Sequence, residues 1–206
     1  MDGLIDRKGL LNKINSDSSG KIQLNLGCGT IKKHDTFIGI DRQDDQNVDI
    51  VGDIFDILGQ IKSESVDHIY SSHFFEHIDD TESLLNECAR VLKPNSYMDI
   101  IVPHFSNPYF YSDLTHRKFF GLYTFSYFCL DGILKRKVPK YEHSIDFTLV
   151  SVKLNFQSTR PFYLRHVFKK LIGLVFSTSV FMSEFWEENL SGIFPCYDIK
   201  FRLVKN

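Results

Sequence analysis

Leu24-Asn25-Leu26-Gly27-Cys28-Gly29-Thr30 is a short apolar run that breaks into two glycines, and the next apolar run, Phe37-Ile38-Gly39-Ile40-Asp41, closes on a carboxylate. Strand, glycine loop and second strand ending in an acid form the nucleotide-cradling unit of an open parallel sheet. Glycine lets backbone approach a ligand, and the carboxylate can accept from both hydroxyls of a ribose. A third short run, Val48 to Asp53, ends in Gly52-Asp53 and adds a second acid. Only 11 residues separate Gly29 from Asp41, against about 20 in a dinucleotide fingerprint. The first crossover helix is therefore expected to shrink to a turn or two, which disfavours a nicotinamide-linked oxidoreductase.

Outward from this unit the alternation of strand and helix continues. Ser65 to Ser72 and Tyr97 to Pro103 read as strands, with Phe55 to Ile61 as a short helix or turn before them. Thr81 to Leu92 is the clearest helix: Leu84, Leu85, Cys88, Val91 and Leu92 share one face, and Pro94-Asn95 stops it. Upstream, Leu4, Ile5, Leu10, Leu11 and Ile14 suggest one short amphipathic helix ended by Ser16 to Gly20, followed by a strand over Lys21 to Leu26. Beyond Pro103 the chain turns aromatic and irregular to Phe128. Ile145 to Leu154 then reads as a long strand, Arg165 to Phe185 as a helical stretch and Tyr197 to Val204 as a final half-exposed strand. This order implies a parallel sheet with covered faces.

Composition narrows the function. The 206 residues carry 24 Lys and Arg against 26 Asp and Glu, and a net charge of −2 lacks the basic excess of a nucleic-acid binder. Cys28, Cys88, Cys129 and Cys196 are widely spaced, so reduced thiols are expected rather than a disulfide framework or zinc site. The N-terminus shows no basic region followed by an apolar one, and no run of about 18 apolar residues occurs; a cytoplasmic protein is expected.

Leu24 to Gly29 with Asp41, Gly52-Asp53, Glu76-His77 and the helix end Arg90-Val91-Leu92-Lys93-Pro94 resemble class I S-adenosylmethionine-dependent methyltransferases over residues 21–103. The resemblance implies a Rossmann-like, seven-stranded, mostly parallel α/β sheet finished by a C-terminal antiparallel hairpin. It implies one domain over 1–206: a lead-in (1–20), a cofactor-binding half (21–103), and an acceptor-pocket or lid segment with the final strands (104–206). It also implies S-adenosyl-L-methionine as cofactor, with Asp41 on the ribose and Asp53 toward the adenine amino group. Gly27, Cys28, Gly29, Ile54, Ser72 and His73 complete the cofactor set, His73 toward the methionine end. His73-x-x-Glu76-His77-Ile78, Val102-Pro103-His104 and Ser112 to Phe120 are similar to a small branch of the superfamily linked to sugar, polysaccharide or secondary-metabolite pathways.

Methyl transfer to a hydroxyl needs alignment at the sulfonium carbon and a base for the proton. His104, Asp113 and His116 form the expected base-and-orienter set, and a helix-capping role for Asp113 is the competing reading. Glu76 is expected to cap or orient neighbours. His73, His77, His104 and His116 suit a metal by residue type, but nothing in their spacing demands one, and none is expected. The band from Tyr109 to Phe128 and the Arg165 to Phe185 stretch can lie in the core or against a second copy, over an acceptor pocket, or, through Leu171 to Phe176 with Arg165, Lys169 and Lys170, in a membrane interface. The first placement is preferred. The functional expectation is O-methylation of a small polar acceptor such as a sugar or sugar-linked intermediate, with a homodimer allowed; a non-catalytic scaffold of the same fold is the alternative.

Overall fold

The computed structural model describes residues 3–16, 20–30, 32–139 and 145–206. Its described strands are β1 (Ile5–Asp6), β2 (Gln23–Leu26), β3 (Ile38–Asp41), β4 (Ile50–Val51), β5 (Val66–Ser72), β6 (Leu92–Pro103), β7 (Cys129–Gly132), β8 (Ile145–Asn155) and β9 (Asp198–Lys205). They form one sheet in the order β1-β4-β3-β2-β5-β6-β9-β8-β7. The strands β4, β3, β2, β5 and β6 are parallel, and β9 runs antiparallel between β6 and β8. All seven expected strands form. The two further strands are short edge pieces: β1 lies antiparallel to β4, and β7 parallel to β8. Both faces are covered, so Leu24, Leu26, Ile69, Met98 and Ile100 are wholly buried.

The helices are α1 (Leu10–Asn15), α2 (Ile54–Gly59), α3 (Thr81–Val91), α4 (Tyr163–Phe176) and α5 (Val180–Asn189). The single lead-in helix is corrected. Ile5 and Asp6 join the sheet, Gly9 turns left-handed at φ 62°, and the Asp6 carboxylate accepts the Leu10 and Leu11 N–H groups, each at 2.8 Å. A local carboxylate cap and a glycine thus restart the chain as a shorter helix. The expected stop over Ser16 to Gly20 lies partly outside the described residues.

Between β2 and β3 the described residues make turns and no helix. Buried polar groups secure this link instead. Asn25 Oδ1 accepts the Lys33 N–H at 2.8 Å, and Asp49 Oδ2 accepts from Lys32 Nζ at 2.8 Å and from the Gly39 N–H at 2.9 Å. α3 forms as its periodicity predicts, capped by Asp80, which accepts the Ser83 N–H at 2.9 Å.

Asp99 ties the two halves of the sheet together. On β6 it stands opposite Arg202 of β9, and its carboxylate takes two guanidinium hydrogen bonds of 2.8 Å; His68 Nε2 and Lys200 Nζ lie 3.5 Å away. Burial alone would raise its pKa, but the His68 and Arg202 contacts and the Lys200 and Arg202 charges hold it well below the carboxylate range. With the folded pKa depressed, the clamp's stability is present above the unfolded value near about 4 and is lost as pH falls through the folded one. Asp99→Asn is expected to cost about 1–3 kcal/mol at neutral pH, less than a fully buried pair because Arg202 is partly exposed. Urea melts at pH 7 and at pH 2 should show the gap between variant and wild type closing in acid; an equal gap at both would assign the loss to packing.

The expected helical stretch from Arg165 to Phe185 breaks into α4 and α5 at Ser177-Thr178-Ser179, where Ser179 Oγ accepts the Met182 N–H at 3.2 Å and caps α5. Of the core-or-second-copy placement, the core part applies to α5, which buries Trp186 edge-on against Phe156 with ring centroids 4.8 Å apart. In α4 it applies to one side, where Ile172 is the buried residue, while the apolar residues on the far side face solvent. The aromatic band divides as well: Phe110, Phe120 and Phe125 are buried, while Tyr111 and Phe119 are exposed.

Candidate active site

The carboxyl ends of β2, β3 and β4 open onto one cleft, lined by Gly27, Ile40, Asp41, Asp53 and Ile54 on one side and Phe74, His77 and Ile78 on the other. Gly27 is left-handed (φ 61°), and a Cβ there would stand 2.3 Å from the Phe74 ring, so only glycine admits this aromatic wall. Gly29 is also left-handed, at φ 53°, and donates its N–H to Asp41 Oδ2 at 2.7 Å. Asp41 Oδ1 accepts from Gln43 N at 2.9 Å. The carboxylate is thereby held rigidly at the strand end, and four lone-pair sites leave it acceptor capacity. Asp53 caps α2 through the Phe55 N–H at 2.9 Å and faces the same cleft. Sequence-adjacent loops thus bring Gly27, Asp41, Asp53 and Ile54 together.

Cys28 does not join them. Its side chain packs with Val48 and Val51, and burial pushes the thiol pKa up to about 12, so it is an inert support beneath the loop. Ser72 ends β5 half-buried, and His73 is exposed just beyond it at φ 53°, a strained value for a non-glycine residue. His73 Nδ1 lies 3.3 Å from Glu76 Oε1, and the hydrogen bond to Glu76 raises the imidazole pKa.

A second wall is built from distant segments. Glu76 and His77 lie on a single helical turn, Phe75–His77, and Asp113, Thr115 and His116 on the loop after β6. His116 Nδ1 donates to the Phe110 carbonyl at 3.0 Å. Thr115 Oγ1 donates to Asp113 Oδ1 at 2.6 Å and so receives the His77 Nδ1–H at 3.0 Å. These partners place a proton on Nδ1 of each ring and leave Nε2 as the nitrogen turned to other groups. His116 Nε2 lies 3.6 Å from Asp113 Oδ2 and 3.9 Å from Glu76 Oε1. Thr115 holds the Asp113 carboxyl below its ordinary pKa. Glu76 is wholly buried, and the nearest side-chain nitrogens to its carboxylate are His73 Nδ1 at 3.3 Å and His116 Nε2 at 3.9 Å. Glu76, His77 and His116 also place ligating atoms within 4.8 Å of one another, a set a divalent cation could bridge.

His104 is the main correction. It is wholly buried, with Nδ1 on Ser106 Oγ at 2.8 Å and Nε2 on Glu187 Oε2 at 3.0 Å. Both nitrogens are engaged, and the ring is walled in by Phe105 and Trp186; it fastens the end of β6 to α5 and cannot reach an acceptor. The expected triad therefore separates, and only Asp113 and His116 stay together. The sequence reading does not single out Phe74, Thr115 or Glu187, which the structure adds to the site and its supports. The Asp113-x-Thr115-His116 spacing, which suits an Asx-type turn, was the available signal for Thr115.

Residues 24–100 match the family model described as a methyltransferase domain. No curated protein matches the sequence. Among solved structures, a SAM-dependent methyltransferase from Archaeoglobus fulgidus is 20% identical, covering 95% of this chain and 91% of its own, with a TM-score of 0.58. A candidate sarcosine dimethylglycine methyltransferase from Galdieria sulphuraria is 17% identical over 96% of this chain and 82% of its own, at 0.51. At these identities the likeness is one of fold.

Proposed function

We propose that this chain, which has the fold of S-adenosylmethionine-dependent methyltransferases and matches their domain over residues 24–100, transfers a methyl group from S-adenosyl-L-methionine to a hydroxyl of a small polar acceptor, a sugar or sugar-linked molecule. The observation that carries the reading is that Asp41 and Asp53 share one cleft with the left-handed glycine loop. Asp41 would accept from the ribose hydroxyls and Asp53 face the adenine end, with Phe74 closing the cleft above Gly27. When bound there, S-adenosyl-L-methionine would supply an electrophilic sulfonium methyl group.

This chain's own contribution is alignment and proton removal. His116, its Nδ1 held on the Phe110 carbonyl, takes the hydroxyl proton on Nε2. Asp113 and Glu76 then stabilise the resulting imidazolium across 3.6 and 3.9 Å. The buried Glu76 is suited to this role, because its carboxylate lies between His73, 3.3 Å away, and His116 and can support positive charge on either ring. Calorimetric titration with S-adenosyl-L-methionine is expected to show one saturable site. No heat and no thermal stabilisation at millimolar cofactor would sink the reading.

A further inference from the structure

α4 is covered on one side only. At 100° per residue, Tyr163, Leu164, Val167, Phe168, Leu171, Leu174 and Val175 fall within an arc of about 140°. All seven are exposed, Leu164 by 90% and Leu174 by 72%. The opposite side meets the body of the protein: Ile172 is buried, and a Cβ on Gly173 would come within 3.2 Å of the Phe156 ring. By the same rotation Lys170 lies about 20° outside one edge of the arc and Arg165, a long side chain, about 60° outside the other.

The charge around this stripe is one-sided. From Phe147 to Ser183 the sequence holds no Asp or Glu but carries Lys153, Arg160, Arg165, Lys169 and Lys170, in a protein of net charge −2. The hydrogen-bond partners of the border cations are neutral: Arg165 donates to Ser158 Oγ at 2.9 Å and Tyr109 Oη at 3.0 Å, and Lys170 to Asn155 Oδ1 at 3.1 Å, with the buried Asp198 as the anion that feels the Lys170 charge. At the start of the helix, Ser158, Thr159, Arg160, Tyr163 and His166 line a small cleft rich in donors. A wide apolar arc with cationic borders fits a helix lying in the plane of a bilayer interface, where anionic headgroups supply the counter-charge. A second copy fits less well, because a two-fold contact would set each basic border against its own duplicate.

We propose that α4 docks this protein onto the surface of an anionic bilayer, with its apolar stripe among the acyl chains and Arg165 and Lys170 reaching the headgroups. The helix is wired to the second wall of the site: Arg165 holds Tyr109, and the neighbouring Phe110 carbonyl takes the His116 Nδ1–H. Resting additionally on the methyl-transfer reading, the acceptor is then a polar group carried on a lipid.

Sedimentation with phosphatidylcholine vesicles, with and without one-third phosphatidylglycerol, tests the docking. The protein is expected to bind the anionic vesicles about tenfold more tightly, and less so as salt rises. Leu164→Glu/Leu171→Glu, at sites exposed in the folded protein, should lower that binding about tenfold or more while leaving the cofactor titration heat unchanged. Failure to bind anionic vesicles would overturn the proposal. So would equal binding by the double variant, or a dimer in light scattering that this variant dissolves without any vesicle binding. Because cofactor binding is read on the same samples without lipid, loss of the methyl-transfer reading would show separately.

Discussion

Asp41→Ala is expected to weaken S-adenosyl-L-methionine binding by about 100- to 10,000-fold. Two hydrogen bonds from ribose hydroxyls to a charged acceptor contribute about 1.5–3 kcal/mol each, and every 1.4 kcal/mol is tenfold in affinity. A second effect adds to the loss. Asp41 Oδ2 also holds the Gly29 N–H at 2.7 Å, so removing it frees the glycine loop that shapes the cleft. Asp41→Asn separates the two, since an amide oxygen can keep the Gly29 bond while the charge is gone. Calorimetry should rank wild type, Asn and Ala in falling affinity, with melting temperatures of the unliganded proteins within a few degrees. Wild-type affinity in Asp41→Ala would remove the ribose role.

His116→Ala is expected to lower turnover by about 100- to 10,000-fold, the usual worth of a positioned base, with cofactor affinity changed less than about threefold because the side chain lies in the second wall and not among the residues lining the cofactor cleft. His104→Ala serves as contrast: it empties a buried network with Ser106 and Glu187 and should lower stability, with any activity change following the folded fraction. The Glu76, His77 and His116 set admits another use of the same atoms. Turnover is expected to survive chelator; a loss restored by added Zn²⁺ or Mn²⁺ would reassign His116 from proton acceptor to metal ligand. Unchanged turnover in His116→Ala would remove the base role.

Much of the cofactor side was legible because its parts are local. Asp41 ends the strand that follows the glycine loop, and Asp53 ends the next one, so parallel neighbours must set both at the same edge of the sheet. Cys28 escaped this logic, since alternate residues of a loop point in opposite directions and spacing alone does not say which way. The Phe74 wall was invisible for another reason: it depends on the left-handed Gly27 backbone lying beneath a ring 47 residues away.

The sequence by itself determined the strands, their alternation with helices, the shortened crossover and the acids at two strand ends, because period and turn chemistry act over a few residues. Only the tertiary structure decided between His104 and His116. Each is a histidine after the same strand, and what separates them is what meets Nε2: a 3.0 Å bond to Glu187, 83 positions on, for His104, and the longer contacts to Asp113 and Glu76 for His116. It likewise decided the surroundings of α4. An apolar helical stripe reads the same whether buried or bare, and which it is depends on whether another element arrives to cover it.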